Sequence, residues 1–229
     1  MRIPLGLRAA AGAAAAVPIE PTGPFTSDAN TVLLLECEGA NGSTNFIDLS
    51  PSPKTVTVGT GITISTANSR FGDSSALFPS TDAALTVTDG AFAFASGDSF
   101  TWEGFIYYSK STALKALFNS DTTYTNRPRL YINGTTLSIY VSPSFRLSHQ
   151  TAVSIDTWHH VAAVRDGTVW HLYLDGVQST SSYTELNNPT TSTLMIGWDG
   201  FGGQDFEGYM DSIRVSDVAR YTASFTPPW

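Results

Sequence analysis

The chain has 229 residues, a formal net charge of −8 and one cysteine, Cys37. A lone cysteine excludes an internal disulfide, and an acidic chain with no Lys/Arg run excludes a phosphate-backbone partner. Charged residues make up only 14% and aromatics 12%, with abundant Ser, Thr, Asn and Gly, which is the balance of a β protein and not of a helix bundle. No stretch approaches the roughly 20 apolar residues of a membrane-spanning helix, so no membrane insertion is expected.

Residues 1–25, "MRIPLGLRAAAGAAAAVPIEPTGPF", are rich in Ala and end in Pro18, Pro21 and Pro24. They are expected to form an extended arm ahead of a domain spanning 26–229. Such a composition buries too little apolar surface to offset its ordering, which costs roughly 1–2 kcal/mol per residue. An ordered arm is therefore held by a partner subunit or a larger particle, or lies back on its own domain. Arg2 and Arg8 ahead of a run of small residues also fit a secretory signal, which keeps an exported protein as the rival.

From residue 26 on, short apolar or alternating runs recur between turn signals, and none has sustained 3.6-residue periodicity. Strands are predicted near "TVLLLECE", "TVTVG", "ITIS", "SALFP", "ALTVTD", "DSFTWEGFIYYS", "KALFNS", "RLYING", "TLSIYVS", "WHHVAAVR", "TVWHLYLDG", "STLMIG" and "FEGYMDSIRVS". Asn133-Gly134 and Asp166-Gly167 are placed at the two central positions of type I′ hairpin loops. With that loop at Asp166-Gly167, Ala162 faces His171 and His160 faces Tyr173. His160, His171 and Tyr173 then form a polar and aromatic patch on one sheet face, with His159 on the other. Strand alternation separates the adjacent His159 and His160, so this pair cannot ligate one ion from a regular strand.

The ordered set "RFGDSSALF", "FTWEGFIYY", "WHHVAAVRDG", "LYLDGV", "LMIGW" and "FEGYMDSIRVS" resembles the concanavalin A-like jelly rolls of the laminin G type. The closing "DVARYTASFTPPW", with Arg220, Tyr221 and Phe225 ahead of a proline pair, is similar to the tail after this domain in many bacteriophage virion proteins. The resemblance implies an all-β, antiparallel two-sheet jelly-roll sandwich. It further implies glycan or protein binding for most relatives and polysaccharide hydrolysis for some. Retaining hydrolases of this fold carry Glu-x-Asp-x-x-Glu on one strand; Glu103 and Glu207 lack that spacing, although Asp211 lies four residues past Glu207. There is no Gly-x-Ser-x-Gly elbow, and Cys37, placed in an apolar strand run, has no assignable base, so nucleophilic catalysis has no sequence support.

The Gly-rich "GWDGFGGQDFEG" is the strongest binding candidate. Trp198, Asp199, Phe201, Gln204 and Asp205 combine aromatic faces with polar acceptors, the usual means of holding sugars. The two aspartates also offer hard oxygens to calcium, as in some laminin G relatives. The expectation is a non-enzymatic, homo-oligomeric bacteriophage virion protein, anchored to capsid or tail by its arm and binding host glycan. A secreted lectin-like module and a polysaccharide hydrolase are the alternatives.

Overall fold

The computed structural model describes residues 23–79, 82–109, 114–120, 127–186 and 190–229. Of the predicted arm only Gly23, Pro24 and Phe25 fall inside this set; residues 1–22 lie outside the described residues. Sixteen strands run through the described residues: β1 (Thr31–Leu35), β2 (Thr57–Val58), β3 (Thr63–Ser65), β4 (Ser75–Pro79), β5 (Leu85–Thr88), β6 (Phe100–Tyr108), β7 (Leu114–Asn119), β8 (Arg129–Asn133), β9 (Thr136–Val141), β10 (Ser144–Ala152), β11 (Trp158–Asp166), β12 (Val169–Leu174), β13 (Val177–Gln178), β14 (Tyr183–Thr184), β15 (Thr193–Ile196) and β16 (Glu207–Ser216). A nine-stranded sheet runs β13-β12-β11-β6-β16-β4-β3, with β1 also on β16 and β14 also on β12; a seven-stranded sheet runs β10-β9-β8-β7-β15-β5-β2. All pairs are antiparallel, giving the jelly-roll sandwich that the ordered runs predict.

Alternation explains the layering. On β6, Phe100, Trp102, Ile106 and Tyr108 face the core while Thr101, Glu103 and Phe105 point to the outer face. On β8 and β9, Leu130, Ile132, Leu137 and Ile139 face inward, leaving Arg129, Tyr131, Ser138 and Tyr140 outside. Trp102 of the nine-stranded sheet stacks across on Phe118 of the other at 5.9 Å, and beside it Trp170 packs on Phe100 within the nine-stranded sheet at 5.0 Å. These rings supply much of the apolar area that holds the two layers together.

Two hairpin expectations are corrected. Asn133 pairs with Thr136 and Asp166 pairs with Val169, so the loops are Gly134-Thr135 and Gly167-Thr168. Only the glycines have positive φ, 64° and 58°, as in loops that need glycine at the first central position. Asp175-Gly176, between Leu174 and Val177, instead has φ of 50° and 75° at both positions and is the type I′ loop. The register therefore slides by two residues, which preserves faces but changes partners. Ala162 pairs with Tyr173 and Val164 with His171. Cys37 also falls past the end of β1, buried at φ 57°.

The outer face of the nine-stranded sheet is covered by both ends of the described chain. Phe25 packs on Phe105, His160 and the Arg214 guanidinium. The closing segment 217–229 crosses β6, β11 and β12. Tyr221 and Phe225 stack at 3.7 Å, both rings lie against Tyr173 and His160, and the Tyr173 hydroxyl donates to the Tyr221 carbonyl at 3.0 Å. Arg220 grips Asp28 through two 2.6 Å hydrogen bonds and holds its carboxyl far below the ordinary range. The residues that carry the tail resemblance are thus the ones that fasten it.

Candidate functional site

The seven-stranded sheet carries a cavity on its outer face, lined by residues of β7, β8 and β9 and of the Gly-rich connection. The Gly-rich connection 197–206 between β15 and β16 folds over the seven-stranded sheet and is closed at its base by Phe206 N–H donating to the Gly197 carbonyl at 2.7 Å. Asp199 is fully buried and pins the connection down. Its carboxylate accepts from Phe201 N–H at 3.0 Å and from the Tyr131 hydroxyl at 3.1 Å, and its carbonyl accepts from Asn119 Nδ2 at 2.8 Å. Burial raises the Asp199 pKa against these bonds, and burial together with the Asp199 charge raises that of Tyr131 well above the usual phenol.

Beside this anchor lies a cavity of about 110 Å³ lined by Leu114, Arg129, Tyr131, Tyr140 and Gln204. The Arg129 guanidinium lies over the Phe201 ring at 5.2 Å and the Tyr140 ring at 5.8 Å. Phe145 on β10, 37% exposed, completes an edge-to-face cluster with Tyr140 at 5.2 Å and Tyr131 at 6.3 Å. The cavity is well below the roughly 300–1,000 Å³ of drug-sized sites, so it takes one ring-sized group or the end of a chain. Aromatic walls with guanidinium, phenol and amide groups suit a polyhydroxylated ligand, because the rings cover C–H faces while the polar groups meet hydroxyls.

The predicted residues divide. Gln204 lines this cavity and Phe201 stands over Arg129. Asp199 and Asp205 are buried, the former committed to holding the loop, and Trp198 is half-buried with its indole N–H inside and without an acceptor among the described residues. Among the described residues no three His, Cys, Asp or Glu side chains are grouped to hold a metal ion. Arg129, Tyr131, Tyr140 and Phe145 escaped sequence reasoning. The signal was present in "RLYIN" and "TLSIYV", where polar and aromatic residues alternate with Leu and Ile, and the Gly134 loop register brings Arg129 opposite Tyr140.

The expected His160, His171 and Tyr173 patch is corrected on both counts. His160, His171 and Tyr173 do share a face, but His171 pairs with Val164, four residues along β11 from His160, and around His160 and Tyr173 the face is closed by the tail instead of open. His160 Nε2 sits 3.3 Å from Glu103 Oε2, which also accepts from the Tyr221 hydroxyl at 2.7 Å, while Arg214 reaches Oε1 at 2.7–2.8 Å. Burial raises the Glu103 pKa, yet His160, Arg214 and Tyr221 outweigh it and hold the group below the usual carboxylate range. The adjacent His159 points the other way and bonds to Ser154 and Asp175, an arrangement invisible in the sequence.

The molecule is a jelly-roll sandwich with a small aromatic cavity on one outer face. The sequence matches the laminin G-type family profile described as the concanavalin A-like lectin/glucanases superfamily over residues 79–224, and the chain belongs to that family. No curated protein matches the sequence. Among solved structures it is similar to the botulinum neurotoxin serotype D binding domain, with a TM-score of 0.63 and 15% identity over 83% of this chain and 49% of that one. The binding domain of Paraclostridial Mosquitocidal Protein 1 gives a TM-score of 0.63 and 14% identity over 84% of this chain and 50% of that one. A botulinum neurotoxin type C structure, described as depending on two ganglioside molecules to get into cells, gives 0.60 and 12% over 84% and 49%. The chain spans about half the length of these binding domains, and at such identities the likeness establishes the fold alone.

Proposed function

We propose that this protein is a displayed carbohydrate-binding module of a bacteriophage particle that holds its glycan without cleaving it. The observation that carries the proposal is the placement of the two ends and the cavity. Phe25 and the closing segment are fastened to the outer face of the nine-stranded sheet, whereas the cavity lies on the outer face of the other sheet, where half-buried Tyr140 stands in front of the buried Arg129 and Tyr131. A module tethered through its N-terminal arm can therefore turn its cavity away from the particle. The similarity of the tail to virion proteins supports the setting, and the ganglioside dependence of a structural neighbour supports glycan as ligand. Binding without glycoside hydrolysis is favoured because Glu103, one of the two glutamates weighed for glycosidase work, is sealed and committed to Arg214, His160 and Tyr221.

Two measurements test this. On a glycan array the full chain, with and without calcium, is expected to give specific signals that Tyr140→Ala or Phe145→Ala lowers about 10-fold or more, the usual cost of removing a ring from the centre of a contact. No signal above background under either condition removes the glycan assignment. A chain lacking residues 1–24 is expected to fold and remain outside assembled particles, and normal incorporation overturns the anchoring role.

A further inference from the structure

At the rim of the sandwich, where β10 turns into β11, Ser154, His159 and Asp175 form a hydrogen-bonded line. Ser154 Oγ lies 2.7 Å from His159 Nε2, and His159 Nδ1 lies 2.7 Å from Asp175 Oδ2. An ionised carboxylate only accepts, so Nδ1 carries the imidazole proton, and in the neutral ring Nε2 is left to accept from the serine hydroxyl. The aspartate is itself fixed: it sits in the type I′ loop at φ 50°, and its other oxygen accepts from His160 N–H at 2.9 Å. The serine is held from both sides, by Val153 N–H on the Thr135 carbonyl at 2.7 Å and Asp156 N–H on the Tyr108 carbonyl at 2.8 Å. Ser154 is exposed while the His159 side chain is 10% exposed, so the hydroxyl is presented to solvent with the base behind it, and Asp175 at 34% exposed braces the imidazole from its far side.

We infer that Ser154 is an activated nucleophile with His159 as its general base and Asp175 as the positioning residue, and that the site accepts short-chain carboxylic esters. This goes beyond the binding function and does not depend on the cavity on the seven-stranded sheet. Nucleophile, base and orienting carboxylate are identified by geometry and not by sequence position. Among the described residues no protein acceptor takes the backbone N–H of Ile155, the residue after the serine. That is the place from which a backbone donor serves the oxyanion in strand-to-helix nucleophile turns. Ile155 is 43% exposed and provides an apolar contact for a small acyl group. In the reaction Ser154 Oγ bonds to the ester carbonyl carbon as its proton passes to Nε2. The tetrahedral intermediate expels the alcohol, which takes that proton. Water then attacks the acyl-serine by the same route, releasing the carboxylic acid and restoring the serine.

The test uses the full chain and a fluorophosphonate probe, followed by intact mass and peptide mapping, with p-nitrophenyl acetate turnover in parallel. Wild type is expected to gain one phosphonyl group, on Ser154. Ser154→Ala should gain none while keeping the wild-type melting curve, since the residue is exposed. Asp175→Asn and His159→Gln should slow labelling of Ser154 and the Ser154-dependent part of acetate turnover by about 100-fold or more. Asp175→Asn keeps an oxygen for His160 N–H, so its loss of labelling with an unchanged circular dichroism spectrum separates orientation of the imidazole from mere folding. An unlabelled Ser154 in wild type, or equal labelling in the His159→Gln variant, overturns the inference and leaves the three residues as a clip between β11 and the β12–β13 loop.

Discussion

Glu103→Ala is expected to lower folding stability by about 3–5 kcal/mol, the range found when one partner of a buried ion pair is removed and the other charge stays behind. The residue left behind is Arg214, whose side chain is only 10% exposed and whose guanidinium also lies over Phe25 at 4.2 Å. The Tyr221 hydroxyl and His160 Nε2 lose their acceptor in the same step. Since Tyr221 is the link between this carboxylate and the closing segment, the loss should spread to Phe225 and then to Trp229, which rests on Phe105 at 5.8 Å. Urea unfolding measures the first effect, and faster proteolysis within residues 217–229 under native conditions measures the second. A Glu103→Leu, Arg214→Met double variant should recover a large part of the stability, because apolar groups need no partners. A loss below about 1 kcal/mol for Glu103→Ala would show that the cluster does not fasten the tail.

That carboxylate also marks how far the sequence could be read. The strands of "FTWEGFIYY" and "WHHVAAVR" were legible because a period of two with buried Trp, Phe, Ile and Val has one physical solution in a sandwich. So was the separation of His159 from His160. β10 was not, because "SFRLSHQTA" is an edge strand with most positions exposed and therefore carries almost no alternation. The loops at Gly134 and Gly167 were found but misplaced by one residue, because a two-residue loop with positive φ at its first position and one needing it at both share the same Asx-Gly spelling. Residues far apart along the chain were beyond reach for a different reason. Glu103, Arg214 and Tyr221 meet only through the β6–β16 pairing and the path of the tail, and His159 meets Asp175 only because a type I′ loop turns the aspartate back over β11. In the "GWDGFGGQDF" connection the residue types were read correctly as a loop. What alternation in that stretch could not convey is that Asp199 faces inward, because its partners Asn119 and Tyr131 come from β7 and β8.

Asp211→Asn is expected to remove most of the pH dependence of stability between about pH 4 and pH 7. Asp211 sits where β16 leaves β4 for β1, at a bulge marked by Ser212 at φ 43°. The bulge turns consecutive side chains into the protein, so Asp211 and Ser212 are both fully buried and Ser212 donates to Glu36 at 2.8 Å. Burial raises the Asp211 pKa to about 7, although N–H groups of Phe71, Arg70 and Ser212 favour its charged form, and the nearby Glu36 adds to the rise. A carboxyl raised from about 3.9 in the unfolded chain to about 7 in the folded one binds more protons when folded. Its stabilising contribution is complete below about pH 4 and is lost as the pH rises through about 7. The gap sets a ceiling of about 4 kcal/mol. Asparagine keeps an oxygen for Arg70 and Phe71 N–H without a charge to desolvate, so the variant should match or exceed wild type at pH 7.5 and lose its advantage toward pH 4. Glu36, also raised by burial, leaves a smaller slope of the same sign. Glu103 works in the opposite direction, since a lowered pKa contributes stability above the unfolded value that disappears as pH falls. Urea unfolding of both proteins from pH 4 to pH 8 resolves the two, and an unchanged slope in Asp211→Asn would mean that Asp211 stays ionised throughout.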